Sequence, residues 1–471
     1  MKKLSELYEG EGYDNIWVKG IKINSKEVEP GDIFVCVKGV TADRHDFIEE
    51  AISKGASCVV VDRSVTCSVP MVKVKNTNEE LPLLASKFYD YPEKYLDIIG
   101  ITGTNGKTTV ATIIQELIGD SCGYLGTNGI ICSKFNESIR NTTPDSDRLY
   151  NYFRRFVDSG CKYLSMETSS EAFYRHRLDN LTFKVGIITN ITEDHLNIHK
   201  TIENYVSCKK KLLMQVKDDG YSILNSDDTY FKEFEEIAKG TILTYGKNPS
   251  TLQIISSNYF IDKTDITLKY QDKLYSFSSP LLGEFNIYNL CAAILALISL
   301  GFKIEEVIEK IPNIKAPSGR VEFLKFGQDY HIILDYAHTP DAFSKIYQLL
   351  EPIKKGRIIT ITGSAGGREK EKRGPMGKLV LEKSDYVIFT MDDPRYEKVE
   401  DIVHDLTSTS TKTNYEMIID RKEAIYKAFQ LAKKDDIVLV AGKGIDNYMA
   451  IEDKYLPYSD LEVIKEYFNR N

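Results

Sequence analysis

The stretch "IIGITGTNGKTTV" (residues 98–110) constrains the chain more than any other. An apolar run ends in a glycine-bearing turn, a lysine and two threonines, and a helical pattern follows. Glycines let backbone N–H groups turn toward phosphate oxygens, and the helix start adds partial positive charge. Lys107 can reach the outer phosphates and Thr108 can ligate Mg²⁺ through its hydroxyl. The strict G-x-x-x-x-G-K-[ST] spacing fails, because Ile101 stands five positions before Gly106. The core Gly103-Thr104-Asn105-Gly106-Lys107-Thr108-Thr109 keeps the chemistry. It predicts a strand–loop–helix unit of a parallel sheet that binds ATP. Hydrolysis, phosphoryl transfer and ligation all use such a loop.

At 471 residues the chain exceeds one ordinary hydrophobic core, so two to four domains are expected. A formal charge of -8 argues against nucleic-acid or anionic-membrane binding. An anionic ligand must then be met by local groups. The 8 cysteines show no C-x-x-C pair and signal neither a zinc nor a redox site. "MKKLSELYEGEGYD" lacks the apolar core of a signal peptide, and "LCAAILALISLGF" is too short to span a bilayer. These readings point to a cytoplasmic protein.

Short strand candidates such as "GDIFVCVKG" and "ASCVVVDRS" fill residues 1–92, and "DYPEKY" reads as a linker. Strands then alternate with helical stretches, which indicates a largely parallel α/β sheet. Residues 241–280 read as β-rich, and "NLCAAILALISLG" returns to helix. Prolines and a glycine in "IPNIKAPSGRVEF" mark a second boundary. Beyond it "DYHIILDYAH", "GRIITITGS", "DYVIFTMDD" and "DIVLVAGKG" are buried-strand candidates of a second α/β domain. Glu167 in "LSMETSSEAF", and Asp194, His195 and His199 in "ITNITEDHLNIH", follow strand ends. Parallel strands gather such ends on one edge, beside the phosphate loop. Glu167 and Thr108 could share one Mg²⁺, with His195 near a second.

"TGTNGKTT", "NTTPDSD", "METSS", "TNITEDHLNIH", "GEFNIYNLCAA", "SGRVEF", "DYAHTPDAF" and "AGKG" occur in this order. The set resembles the Mur ligases, and with "NSKEVEPGDIFVCVKGVTADRHDFI" it resembles their MurE-type members. The resemblance implies three α/β domains: a uridine-nucleotide-binding domain (1–92), a central P-loop ATPase domain (93–315) and a Rossmann-like amino-acid-binding domain (316–471). It implies a monomeric ATP- and Mg²⁺-dependent ligase. Such an enzyme phosphorylates the carboxylate of a UDP-MurNAc-dipeptide and lets an amino acid attack the acyl phosphate.

By resemblance, Thr108 and Glu167 serve one Mg²⁺ and His195 the other, with Lys209 carbamylated as support. Lys107 is the phosphate lysine. Asn286, Asn289, Arg320, Asp335 and His338 are nucleotide contacts. Ser25, Asn141, Thr142, Thr143, Ser169 and Arg177 would hold the UDP-sugar-peptide. Nearby, Glu171, Arg175 and Lys26 stand where the family usually has His, Gln and Arg. Arg368, Asp393, Arg395, Gly442 and Asp446 would read the incoming amino acid, with Asp393 in place of Asn and Asp446 in place of Glu. A guanidinium at 395 can bind the far carboxylate of meso-diaminopimelate bidentately. That amino acid is the expectation. L-Lysine or another amino acid, a specialised carrier, and a non-catalytic nucleotide-binding regulator remain as alternatives. A simple NTPase would need neither "DDPR" nor "AGKG".

Overall fold

The computed structural model describes residues 1–39, 42–194, 196–260, 263–315, 321–368, 370–444 and 446–470. They form two compact units. The first holds residues 1–255, 268–275 and 288–310; the second holds 256–267, 276–287 and 311–471.

The first unit begins with a small parallel sheet of Ile21–Lys22, Ile33–Val35, Cys58–Val61 and Met71–Lys73. Its middle strands are buried on both faces, as their unbroken apolar runs predict. "DYPEKY" is ordered: Asp90 and Tyr91 take positive φ, and Pro92–Tyr95 forms a 3-10 turn.

The large sheet follows. Cys122–Gly126, Tyr163–Glu167, Asp97–Thr102, Phe183–Ile188, Val216–Asn225 and Thr241–Gly246 lie side by side in that order. All their pairings are parallel. Gly129–Cys132 and Phe135–Glu137 extend one edge antiparallel. The carboxyl ends of the Asp97–Thr102, Tyr163–Glu167 and Phe183–Ile188 strands therefore face the same edge. From 252 the chain forms three further strands, Leu252–Tyr259, Thr264–Tyr270 and Lys273–Ser279. The apolar run 290–297 is the buried core of the helix Glu284–Ser299.

Two glycines set the depth of one helix. Gly100 and Gly186 pair across neighbouring strands. A Cβ on Gly100 would lie 2.6 Å from the Phe183 ring and 2.7 Å from Leu212, and one on Gly186 would lie 2.6 Å from Val216. The bare patch lets the helix Ile202–Met214 settle close to the sheet. That helix carries Lys209.

The second unit has a six-stranded sheet in the order Glu322–Leu324, His331–Asp335, Ile437–Ala441, Ile358–Thr362, Tyr386–Phe389 and Tyr415–Met417. Only the Glu322–Leu324 edge is antiparallel. The helices Pro340–Leu350, Arg373–Lys383 and Val399–Thr407 cover one face, and Arg421–Leu431 with Asp460–Arg470 cover the other. The four apolar runs read as strands in the sequence are its central strands. Fully buried Arg421 pairs with Asp460 at 2.8 Å and donates to the carbonyls of Ala441 (2.9 Å) and Met391 (3.4 Å). It thereby ties together the ends of two strands whose loops carry candidate site residues.

Filling the glycine patch should be felt. Gly100→Ala is expected to lower stability by about 1–3 kcal/mol through overpacking, read as a lower urea midpoint. An unchanged midpoint would show that the helix does not sit on this patch.

Candidate active site

The phosphate loop leaves the Asp97–Thr102 strand and enters the helix Lys107–Ile118. Gly106 precedes the helix at φ 88°, and a Cβ there would lie 2.3 Å from the Asn289 carboxamide oxygen. No side chain caps this helix start, which suits an anion in the cap position. The loop's shape is held from the next strand. Thr104 N–H donates to the Asn190 carbonyl (2.8 Å), Asn105 N–H to the Asn190 side-chain oxygen (3.1 Å), and the Thr189 hydroxyl to the Asn105 carbonyl (2.6 Å). The Lys107 amine lies 2.8 Å from the Gly103 carbonyl and 3.0 Å from that of Thr104.

Glu167 ends its strand fully buried. Its carboxylate accepts from Thr108 Oγ1 (3.0 Å), Tyr124 OH (2.6 Å) and the Thr127 N–H (2.9 Å). Thr108 and Glu167, chosen from sequence, are thus in direct contact. Around them, Thr143 Oγ1 donates to the Glu167 carbonyl (3.0 Å) and accepts from the Ser169 N–H (3.1 Å). Arg177 donates to the Thr143 carbonyl (3.1 Å) and to Asp145 (2.5 Å). The Thr142 hydroxyl lies 3.1 Å from that of Thr127. Ser169 caps the short helix Ser170–Tyr174. Asn141 is exposed on the turn before Thr142.

Of the consecutive Lys209, Lys210 and Lys211, only Lys209 brings its amine to the phosphate loop among the described residues. It is 1% exposed and donates to the Gly103 carbonyl at 2.8 Å. Lys210 pairs with Glu233, and Lys211 donates to the Phe173 carbonyl. Burial drives the Lys209 pKa well below the ordinary lysine value, and the charge of Lys107 pushes the same way against Asp194. His199 is buried against Tyr174 and Tyr205, with Nε2 3.0 Å from the Ser170 hydroxyl. His195 and Arg320 lie outside the described residues.

A cleft of about 420 Å³ in the first unit is lined by Lys38, Arg44, Asn78, Arg175, His176 and Arg177, among others. Arg175 pairs with Glu171 at 2.6 Å, so two residues that depart from the family pattern satisfy each other. Ser25 is buried in the small sheet's domain and donates to Glu50 at 2.7 Å.

In the second unit, Asp335 accepts from the Val321 N–H (2.7 Å) and the Ala337 N–H (2.6 Å). His338 Nδ1 lies 2.8 Å from the Tyr336 carbonyl. Asn286 donates to the Leu282 carbonyl at 2.8 Å. Arg368, Asp393, Arg395, Gly442 and Asp446 all sit on loops after strand carboxyl ends, where open α/β sheets bind ligands. Arg368 is exposed. Gly442 N–H donates to the Asp335 carbonyl at 3.1 Å. Asp393 and Arg395 flank Pro394 with φ of 49° and 51°, a conformation non-glycine residues rarely hold. Asp393 Oδ1 accepts from the Lys443 amine and the Ala450 N–H, both at 2.8 Å. Arg395 Nε is buried with no hydrogen-bond partner among the described residues. Burial raises the Asp446 pKa, opposed by Lys443 at 3.5 Å. Buried Arg373 braces the same loops. It holds Glu397, whose carboxyl is lowered to about 2 chiefly by that hydrogen bond, and Glu397 in turn receives the Gly367 N–H.

Three family models match successive parts of the chain. They are described as "Mur ligase family, catalytic domain" (residues 18–92), "Mur ligase middle domain" (101–297) and "Mur ligase, glutamate ligase domain" (319–444). The "UDP-N-acetylmuramoyl-L-alanyl-D-glutamate--2,6-diaminopimelate ligase 2" of Clostridium acetobutylicum is 38% identical, over 98% of this chain and 99% of its own. The chain belongs to the Mur ligase family. It is an ATP-dependent ligase of three α/β domains. The Bacillus cereus enzyme named as a ligase of the same type is 37% identical to this ligase, over 96% of this chain and 94% of its own. A solved structure titled as such a diaminopimelate ligase covers 100% of this ligase and 99% of its own chain. Its TM-score is 0.73 at 27% identity. MurF from Thermotoga maritima, solved with ADP, shares the fold at 21% identity and TM-score 0.67, covering 96% of this ligase and 97% of its own chain.

Sequence reasoning missed several supports of this ligase's candidate site. Thr189 and Asn190 shape the phosphate loop, Tyr124 and Thr127 hold Glu167, and Lys38 and Arg44 line the cleft. Lys443 lies inside the quoted "AGKG", where only the glycine drew attention. No helix among the described residues is long and apolar enough to cross a membrane.

Proposed function

We propose that this ligase adds meso-diaminopimelate to the D-glutamyl carboxylate of UDP-N-acetylmuramoyl-L-alanyl-D-glutamate, in the cytoplasm and as a monomer, during peptidoglycan synthesis. The observation that carries the choice of amino acid is the Arg395 guanidinium. Its Nε is buried without an acceptor among the described residues, on a loop at the sheet's carboxyl edge. A distal carboxylate supplies that acceptor, and L-lysine has none to offer. The printed names of the curated relatives support the same reading.

In this reading residues 1–92 and 93–315 hold the UDP-sugar-peptide and ATP, and 316–471 holds the amino acid. Ser25, Asn141, Thr142, Thr143, Ser169 and Arg177 bind the carrier, with Lys38, Arg44 and Arg175 supplying positive charge along the cleft. The loop Gly103–Thr109 holds the ATP phosphates, with Lys107 exchanging its loop carbonyls for phosphate oxygens. Asn286, Asn289, Arg320, Asp335 and His338 bind the rest of the nucleotide. The carrier carboxylate attacks the γ-phosphorus and ADP leaves. The amine of the incoming amino acid then attacks the acyl phosphate, and the tetrahedral intermediate collapses with release of phosphate. Orientation and neutralisation of phosphate charge are the protein's main contributions.

The hydroxyl of Thr108 and the carboxylate of Glu167 are hard oxygen donors in contact with each other, a set that fits Mg²⁺. With His195 and a carbamylated Lys209 they would hold Mg²⁺, which when bound neutralises phosphate charge. The environment of Lys209 suits carbamylation, because burial favours the uncharged amine, the form that adds CO₂ and sheds a proton.

Phosphate release from ATP, measured with UDP-N-acetylmuramoyl-L-alanyl-D-glutamate and a panel of amino acids, tests the activity. Turnover is expected with meso-diaminopimelate and not with L-lysine. Turnover with L-lysine alone would overturn the choice of amino acid, and none with any amino acid would overturn the substrate reading. Lys209→Ala should reduce turnover by roughly 10–100-fold, the usual loss when a metal site's support is removed. Full activity in that variant would refute the carbamate.

A further inference from the structure

The polar neighbours of the Lys443 amine lie within the protein and hold it away from substrate. The amine is fully buried, 2.8 Å from Asp393 Oδ1 and 3.5 Å from Asp446, and lies 4.7 Å from the Tyr448 ring centre. Asp393 Oδ1 is thus shared between an ammonium and the Ala450 N–H. The Asp393 N–H faces the Met449 sulfur at 3.3 Å, and its carbonyl accepts from the Gly366 N–H at 3.0 Å. Every one of these partners is internal, and they surround a residue held at positive φ.

The next two residues inherit this geometry. Pro394 fixes its own φ, and Arg395 is again at positive φ. Arg395 N–H donates to the Ala450 carbonyl at 3.1 Å, and Glu452 N–H donates to the Arg395 carbonyl at 2.9 Å. Ala450 therefore clamps Asp393 through its N–H and Arg395 through its carbonyl. Strained backbone of this kind persists only where surrounding contacts over-determine it. The strongest such contact is the charged one between Lys443 and Asp393.

We infer that Lys443 is a positioning residue for amino-acid recognition: through Asp393 it holds the Asp393-Pro394-Arg395 turn so that the Arg395 guanidinium faces the ligand. Asp393 in this arrangement is a strut and not a ligand contact. Its negative charge, which would weaken a carboxylate-binding arginine next to it, is neutralised from behind by Lys443. The inference rests on the reading of the Arg395 loop as the amino-acid site.

Steady-state kinetics on four full-length variants test it, with KM for meso-diaminopimelate and for ATP measured separately. Lys443→Met should raise the amino-acid KM by roughly tenfold or more through misplacement of Arg395, with the ATP KM unchanged. Asp393→Ala, which removes the acceptor of both Lys443 and Ala450, should raise the amino-acid KM by a similar factor, again with the ATP KM unchanged. The double variant Asp393→Ala/Lys443→Met should cost no more than the larger single loss, because both substitutions break the same contact. Additive losses in the double variant would make Asp393 and Lys443 independent contributors and overturn the inference. Arg395→Ala separates the two levels. If it leaves the amino-acid KM unchanged, the substrate reading falls and this inference with it. If it raises that KM while Lys443→Met does not, only this inference falls.

Discussion

Burying the Lys209 amine beside a phosphate loop, with no ion pair among the described residues, is the constraint around which the first unit is arranged. An isolated ammonium in a protein interior is costly, and the group responds by favouring its neutral form. The burial is made possible on the strand that feeds the loop and on its neighbour. Gly100 and Gly186 leave the sheet bare where the helix Ile202–Met214 lands, and the close contact carries Lys209 to the Gly103 carbonyl. The Gly103 carbonyl accepts from Lys107 as well. Both amines thus converge on the loop that would receive the phosphates.

The same logic of strand ends governs both units. In the first, Glu167, the phosphate loop and Thr189–Asn190 leave adjacent parallel strands, so hydroxyl, carboxylate and backbone donors meet without any long loop. In the second, loops after three parallel strands carry Arg368, Arg395, Gly442 and Asp446. Buried ion pairs brace them: Arg421–Asp460 ties Met391 to Ala441, Arg373–Glu397 holds the glycine turn, and Lys443–Asp393 holds the arginine. Interior pairs of this kind add little net stability against apolar replacements, but breaking one partner leaves a buried charge. They fix geometry, and a recognition loop requires that most.

The fold was legible in the sequence where strands are short apolar runs bounded by glycine or proline. All four C-terminal runs became central strands, and the phosphate loop announced its strand and helix. The local order of "DYPEKY" was not legible, because the positive φ at Asp90 and Tyr91 has no marker such as glycine. At the candidate site, Thr108 and Glu167 could be paired because both follow strand ends. Lys443 and the Glu171–Arg175 pair could not, because their partners are found only in space. Asp393 shows the difference most clearly. In the sequence it is only an Asp standing in place of Asn two residues before Arg395; in the structure its charge is paired with a buried lysine.

Coupling of ATP cleavage to amide formation through the carrier's own carboxylate is the centre of this account, and isotope transfer tests it directly. UDP-N-acetylmuramoyl-L-alanyl-D-glutamate labelled with ¹⁸O in the accepting carboxylate would be turned over with ATP and meso-diaminopimelate, and the released phosphate analysed by mass spectrometry. Attack of that carboxylate on the γ-phosphorus predicts one labelled oxygen in each phosphate released. Unlabelled phosphate, with peptide formed at the same rate, would contradict it.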